Sequence, residues 1–172
     1  YWKKGFVKAP LHFQFCLGVV GGMDATPYDL QLLINEMHKL QAEGKLPAEC
    51  TWSAFGIGKG HLPVMFAALA NEGHIRVGME DNVVYGRNPD GTKIMATNLM
   101  LVQRAANAVK AFGNEVATPA EAREMLGLKP LDHEAVCAAL DAVKAGEMTG
   151  TVLNDAQSQA EKAVECMEGL LG

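Results

Sequence analysis

Three charged residues, Arg76, Glu80 and Asp81, hold the most chemistry in this 172-residue chain, within the run Gly73-His74-Ile75-Arg76-Val77-Gly78-Met79-Glu80-Asp81-Asn82. In an extended strand successive side chains alternate faces, so Arg76 and Glu80 share one face and Asp81 follows where the strand gives way to its loop. One carboxylate there can ligate a hard or borderline divalent metal, and a second can act as a general base. A guanidinium beside them can pair with that base or grip a substrate carboxylate. The same spacing also suits a solvated Arg-Glu-Asp cluster in a surface turn, and spacing alone does not choose between the two.

Two glycine-rich stretches are the next candidates. Gly56-Ile57-Gly58-Lys59-Gly60 precedes a helical pattern, so backbone N–H groups around Gly58 and the Lys59 ammonium could meet a phosphate of a cofactor. The stretch lacks the full spacing of a Walker or dinucleotide fingerprint, and a tight strand-to-helix turn explains it as well. Gly18-Val19-Val20-Gly21-Gly22 allows close backbone approach to a ligand or simply makes a bend. The five histidines form no HxH, HxxxH or HExxH pair, so no self-contained two-histidine metal site is expected. His38 reads as a helix-surface residue, and His12 and His74 as core histidines with satisfied nitrogens.

The elements that must position these residues follow a regular order. Leu11 to Val20 alternates apolar and polar residues and reads as a strand; Thr26-Pro27 then opens a helix to about Glu43 as N-cap and first helical position. Cys50 to Gly56 is strand-like and His61 to Asn71 helical, with Gly73 as the stop. A strand over His74 to Met79, a long polar loop through Asp90-Gly91, and a helix from Asn98 to Phe112 capped by Thr97 make the third unit. The fourth has a short strand at Glu115 to Ala117 and a helix to about Leu126, opened by the capping-box pattern Thr118-Pro119-Ala120-Glu121. After Pro130, two alanine-rich helical stretches are expected, at 132–145 and 154–170.

Alternating strands and helices imply a parallel sheet with right-handed crossovers. An open doubly wound sheet has helices on both faces and continuous apolar strands, whereas these strands set Leu11, Phe13, Phe15 and Leu17 against His12 and Gln14. That asymmetry suits a barrel with a polar interior and an active site at the C-terminal ends of its strands. An antiparallel α+β sheet with one wet face is the alternative.

Composition narrows the class. With 49% hydrophobic and 20% charged residues, the chain has the balance of a soluble globular protein. A net charge of −5 argues against nucleic-acid binding, and no apolar run approaches the roughly 20 residues that cross a bilayer. A cytoplasmic protein with no membrane partner is expected. Cys16, Cys50, Cys137 and Cys166 show no CxxC pairing and are expected to be reduced packing residues. The absence of an initiator Met points to processing or to a chain that begins inside a longer protein.

Three segments, taken in order, resemble the β-keto acid cleavage enzyme family: Gly18 to Pro27, the Gly73 to Asn82 run, and Ala117-Thr118-Pro119-Ala120-Glu121-Ala122-Arg123. The resemblance covers about Pro10 to Leu128. It implies a (β/α)8 TIM barrel, a divalent metal, usually zinc, and exchange of acyl groups between a β-keto acid and acetyl-CoA to give acetoacetate and a new acyl-CoA. It implies Glu80 as a carboxylate metal ligand, Asp81 as the base that deprotonates the keto acid, and Arg76 as the electrostatic partner of that base.

In the family the other two ligands are a His-x-His pair on an early strand, which this chain lacks. Residues 1–128 are therefore expected to be the C-terminal half of the barrel and 129–172 an appended helical segment. The missing N-terminal half-barrel, in a longer chain or in another polypeptide, would supply the His-x-His ligands, and a homo-oligomer is expected. The competing expectations are a non-catalytic αβ interaction module with a charged rim, and a CoA- or phosphate-binding barrel that uses Lys59.

Overall fold

Leu11–Leu17 forms strand β1, with Leu11, Phe13 and Phe15 half-buried and Leu17 buried, while His12, Gln14 and Cys16 face solvent. This is the alternation read from the sequence. It is seen in a computed structural model that describes residues 1–129 and, beyond them, Glu134, Cys137 and Asp141. Helix α1, Pro27–Ala42, starts where Thr26 Oγ1 accepts from the Asp29 amide at 3.1 Å and proline takes the first helical position. It buries Leu30, Ile34 and Met37, one stripe at helical spacing.

Strand β2, Cys50–Gly56, runs parallel to β1 in register from Leu11 opposite Cys50 to Leu17 opposite Gly56. Helix α2, His61–Ala70, leads to the short strand β3, His74–Ile75, which pairs parallel to β2 and gives the sheet order β1-β2-β3. The apolar faces of β1 and β2 meet α1 and α2 in a core of Leu17, Leu30, Ile34, Met37, Trp52, Ala54, Val64 and Ala68. Each large side chain there contributes about 1.5–3 kcal/mol by leaving water, which fixes which sheet face turns inward.

The third unit departs from expectation. Its strand ends at Ile75 rather than Met79, because the chain turns at Gly78, whose carbonyl accepts from the amides of both Asp81 and Asn82 at 3.2 Å. The polar loop contains an antiparallel hairpin, β4 at Val84–Arg87 and β5 at Lys93–Met95. Asn88-Pro89-Asp90-Gly91 makes its turn, with Asp90 Oδ1 accepting from the Thr92 amide at 2.9 Å and Gly91 at φ +87°.

Helix α3, Asn98–Ala111, packs Ala105 and Ala108 against Met65 and Leu69 of α2. Its N-cap Thr97 accepts from the Met100 amide at 3.2 Å, and Thr97→Ala is expected to lower stability by about 1 kcal/mol in chemical denaturation.

Glu115 to Ala117 is not a strand; its three residues are exposed and pair with no described strand, so no ladder fixes them. The helix after it, α4 at Pro119–Met125, carries the full capping box, with Thr118 and Glu121 bonded reciprocally. The helical stretches expected at 132–145 and 154–170 fall almost wholly outside the described residues, as does Cys166. Cys16, Cys50 and Cys137 are free, but Cys16 and Cys137 are exposed rather than packed. Cys16 lies on the polar face of β1, where no described layer covers it. No helix among the described residues is long and apolar enough to cross a membrane.

Candidate active site

The polar face of the three-stranded sheet converges on Arg76, one residue beyond β3. Its Nε donates to Asp81 Oδ2 at 3.0 Å and its Nη2 to Asp81 Oδ1 at 2.9 Å, a two-point grip that matches guanidinium to carboxylate. Nη2 also reaches Glu80 Oε2 at 2.9 Å, and Nη1 donates to Gln14 Oε1 of β1 at 3.1 Å. The guanidinium lies over the Phe55 ring of β2 at 4.2 Å. Residues of β1, of β2 and of the loop after β3 thus hold one cation. Its hydrogen bonds to Asp81 raise the Arg76 pKa further, against the opposing effect of desolvation.

The two carboxylates differ in environment. The Asp81 side chain is 2% exposed and that of Glu80 is 84% exposed. Glu80 is therefore a surface carboxylate whose pairing with Arg76 is worth little in water, whereas Asp81 is a buried one. Each Asp81 oxygen accepts one bond from Arg76 and keeps a second lone pair, so the carboxylate can still receive a proton.

The loop that presents Asp81 is fixed at both ends: the Gly58 amide donates to the Asp81 carbonyl at 2.9 Å, and the Met79 amide donates to Asn98 Oδ1, at the start of α3, at 2.8 Å. The turn after β3, rather than one face of an extended strand to Met79, brings Arg76, Glu80 and Asp81 together. Gln14, Phe55 and Asn98 complete the setting, and only Gln14 carried a signal, as a polar residue on the inward face of a strand.

The glycine loop turns out to be a packing device. A Cβ on Gly60 would fall 2.0 Å from Ala25 Cβ and 2.7 Å from Ala25 O, and one on Gly56 would fall 2.5 Å from Gly60 O. Gly58, at φ +58°, and the exposed Lys59 stand at the outer edge of the same turn, beside the cavity that Asp81 also lines.

His12 and His74 are exposed rather than core residues, with ring centroids 6.2 Å apart. Both His12 nitrogens are bonded, to Thr51 Oγ1 at 2.9 Å and Ser53 Oγ at 3.0 Å. His38 faces solvent on α1 as expected.

No pattern in the chain marked His61 as a site residue. It begins α2, is 4% exposed, and its Nε2 has no hydrogen-bond partner. Burial lowers its pKa below the ordinary 6.5, Arg104 lowers it further, and Asp81 acts in the opposite direction. An unfolded chain takes up this proton near pH 6.5 while the folded one resists it, so stability is intact above that pH and falls as the pH drops below it. The melting temperature is expected to be lower at pH 5.5 than at 7.5. In His61→Phe the gap should narrow without closing, since burial depresses the His12 pKa too.

Among the described residues no group of three or more His, Cys, Asp or Glu side chains could hold a metal ion. A closed or catalytic zinc site needs at least three protein ligands, so these residues do not by themselves fit one.

The family model described as beta-keto acid cleavage enzyme matches residues 1–128. The chain belongs to the β-keto acid cleavage enzyme family. It is 39% identical over 126 residues to the 3-keto-5-aminohexanoate cleavage enzyme of Acetoanaerobium sticklandii, which covers 73% of this chain and 41% of that protein. It is 36% identical over 129 residues to the enzyme of the same name from Fusobacterium nucleatum, covering 75% of this chain and 42% of that protein. A third relative, the 3-oxoadipate:acetyl-CoA acetyltransferase of Cupriavidus necator, is 34% identical over 128 residues, covering 74% and 42%. The chain thus spans about two fifths of the length of these members of the β-keto acid cleavage enzyme family.

Proposed function

We propose that the chain forms part of an enzyme that exchanges acyl groups between a β-keto acid and acetyl-CoA, with Asp81 as the general base and Arg76 as its electrostatic partner. The observation that carries this reading is a buried carboxylate gripped at two points by a guanidinium at the end of a parallel strand, in a family whose members include acetyl-CoA-dependent transferases by name.

Asp81 takes a proton from the carbon between the keto and carboxylate groups. That carbon attacks the acetyl carbonyl of the thioester and expels CoA thiolate. The thiolate then attacks the original keto carbonyl, the carbon–carbon bond breaks, and acetoacetate leaves as its carbanion recovers the proton. Burial of Asp81 favours the transfer, because the base is held in place and shielded from bulk water. The test is to supply the full-length protein with acetyl-CoA and a panel of β-keto acids and to follow acetoacetate; none formed from any of them would reject the activity.

The architecture is part of the proposal. Residues 1–128 would be the C-terminal half of a (β/α)8 barrel and 129–172 a helical extension, with the polar sheet face turned to the barrel interior. The exposure of His12, Gln14, Cys16 and His74 supports this, since these residues would meet the other half of the barrel.

Glu80 would give one oxygen ligand to a divalent metal, zinc for preference, with its other ligands outside the described residues. Glu80→Gln in the full-length protein is expected to reduce bound zinc about tenfold or more by elemental analysis. Unchanged metal content would remove Glu80 from the ligand set.

A further inference from the structure

A cavity of about 600 Å³ opens next to the Arg76–Asp81 pair, between the Gly58–Gly60 turn, the β4–β5 hairpin and α3. Four cations line it, namely Lys59, Arg87, Lys93 and Arg104. Among the described residues none of the four has a carboxylate within ion-pairing distance. Glu80 and Asp81, the two carboxylates in the lining, are both taken by Arg76.

The hairpin makes the imbalance sharper. Arg87 and Lys93 are direct partners across its antiparallel ladder, an arrangement in which like charges repel unless an anion lies near both. Two of the heads are positioned by backbone carbonyls: Arg87 Nη1 donates to Gly91 O at 2.9 Å, and Arg104 Nη2 to Tyr85 O at 2.7 Å. Arg104 also stacks on the Tyr85 ring at 3.6 Å. Each guanidinium has five N–H donors, so most remain free for a ligand.

His61 supplies an independent sign. It lines the same cavity, and its buried Nε2 lacks the partner that buried polar atoms nearly always have. A neutral imidazole protonated at Nε2 can donate to a phosphate oxygen.

We propose that this cavity binds the phosphate groups of the acyl-CoA co-substrate, with Lys59, Arg87, Lys93 and Arg104 as cationic contacts and His61 as a hydrogen-bond donor. The inference rests on the acyl-exchange reading above and gives it a co-substrate site. CoA carries a diphosphate and a separate phosphate on its ribose, which gives several charge-assisted contacts for a cluster of four cations. The cavity borders Asp81, so phosphates held by the hairpin leave the pantetheine arm to run toward the base.

Titration calorimetry on the full-length protein, with CoA and with pantetheine, tests this. The double variant Arg87→Ala/Lys93→Ala is expected to weaken CoA binding about a hundredfold, at roughly tenfold for each charge-assisted contact. Pantetheine has no phosphate, and its affinity should stay as in the wild type, which also shows that the variant is folded. Lys59→Ala alone, at an exposed position, should cost CoA about tenfold.

CoA affinity unchanged in both variants would overturn the site even in a protein that turns over acetyl-CoA. A wild type that binds CoA through these residues but exchanges no acyl group would leave the site standing and overturn the activity.

Discussion

Asp81→Asn is expected to lower acyl exchange in the full-length protein by about a hundredfold to ten-thousandfold, the range over which a positioned general base acts. The substitution keeps the shape of the side chain and one oxygen for Arg76, so the loop from Met79 to Asn82, fixed by Gly58 and Asn98, should stay in place. Only the capacity to accept the substrate proton is lost. The decisive pair of measurements is turnover and bound metal together. Turnover should collapse while metal content holds, and a variant that retains wild-type turnover would sink the base assignment. A loss of metal in parallel with activity would instead make Asp81 a ligand.

Arg76→Ala is expected to destabilise the fold by about 3–5 kcal/mol, as much as the loss of a large core side chain. Asp81 would be left with a side chain 2% exposed and no counter-charge, and the desolvation cost of that carboxylate would then be uncompensated. Phe55 would also lose the cation stacked on it. The pair Arg76→Ala/Asp81→Leu should recover most of the loss, because removing both charges removes the uncompensated one. A denaturation midpoint that barely moves in Arg76→Ala would mean that water reaches Asp81. Arg76→Lys should fall between, since a single ammonium cannot grip both oxygens at once.

How much of this was legible in the chain depends on the kind of signal. Alternation gave β1, the Thr26-Pro27 and Thr118-Pro119 caps gave the starts of α1 and α4, and the charged run singled out Arg76, Glu80 and Asp81, which the turn after β3 brings within hydrogen-bond reach of one another. These are local patterns in which each residue states its own environment.

The hairpin was equally local and was overlooked: Asn88-Pro89-Asp90-Gly91 between Val84-Tyr85 and Ile94-Met95 is a turn between two strand-forming runs. Strand length was not legible, because a strand exists only as far as a neighbour pairs with it. The third strand stops at Ile75 because the chain turns away at Gly78 while β2 runs on to Gly56, and Glu115 to Ala117 forms none because no described strand pairs with it. His61 and the cation cluster were out of reach for a different reason. They gather residues from a turn, a hairpin and a helix that lie 59 to 104 in sequence, and nothing in their spacing announces that one cavity collects them.

The approach of Gly60 to Ala25 has a consequence for anyone exchanging parts of this chain. A methyl at position 60 meets not only the Ala25 side chain but its carbonyl oxygen at 2.7 Å, so even glycine at 25 would not make room. No swap between the two positions restores the fit. Position 60 therefore has to stay glycine whichever residue stands at 25, and a graft of the segment after β2 is tolerated only from a donor with glycine there.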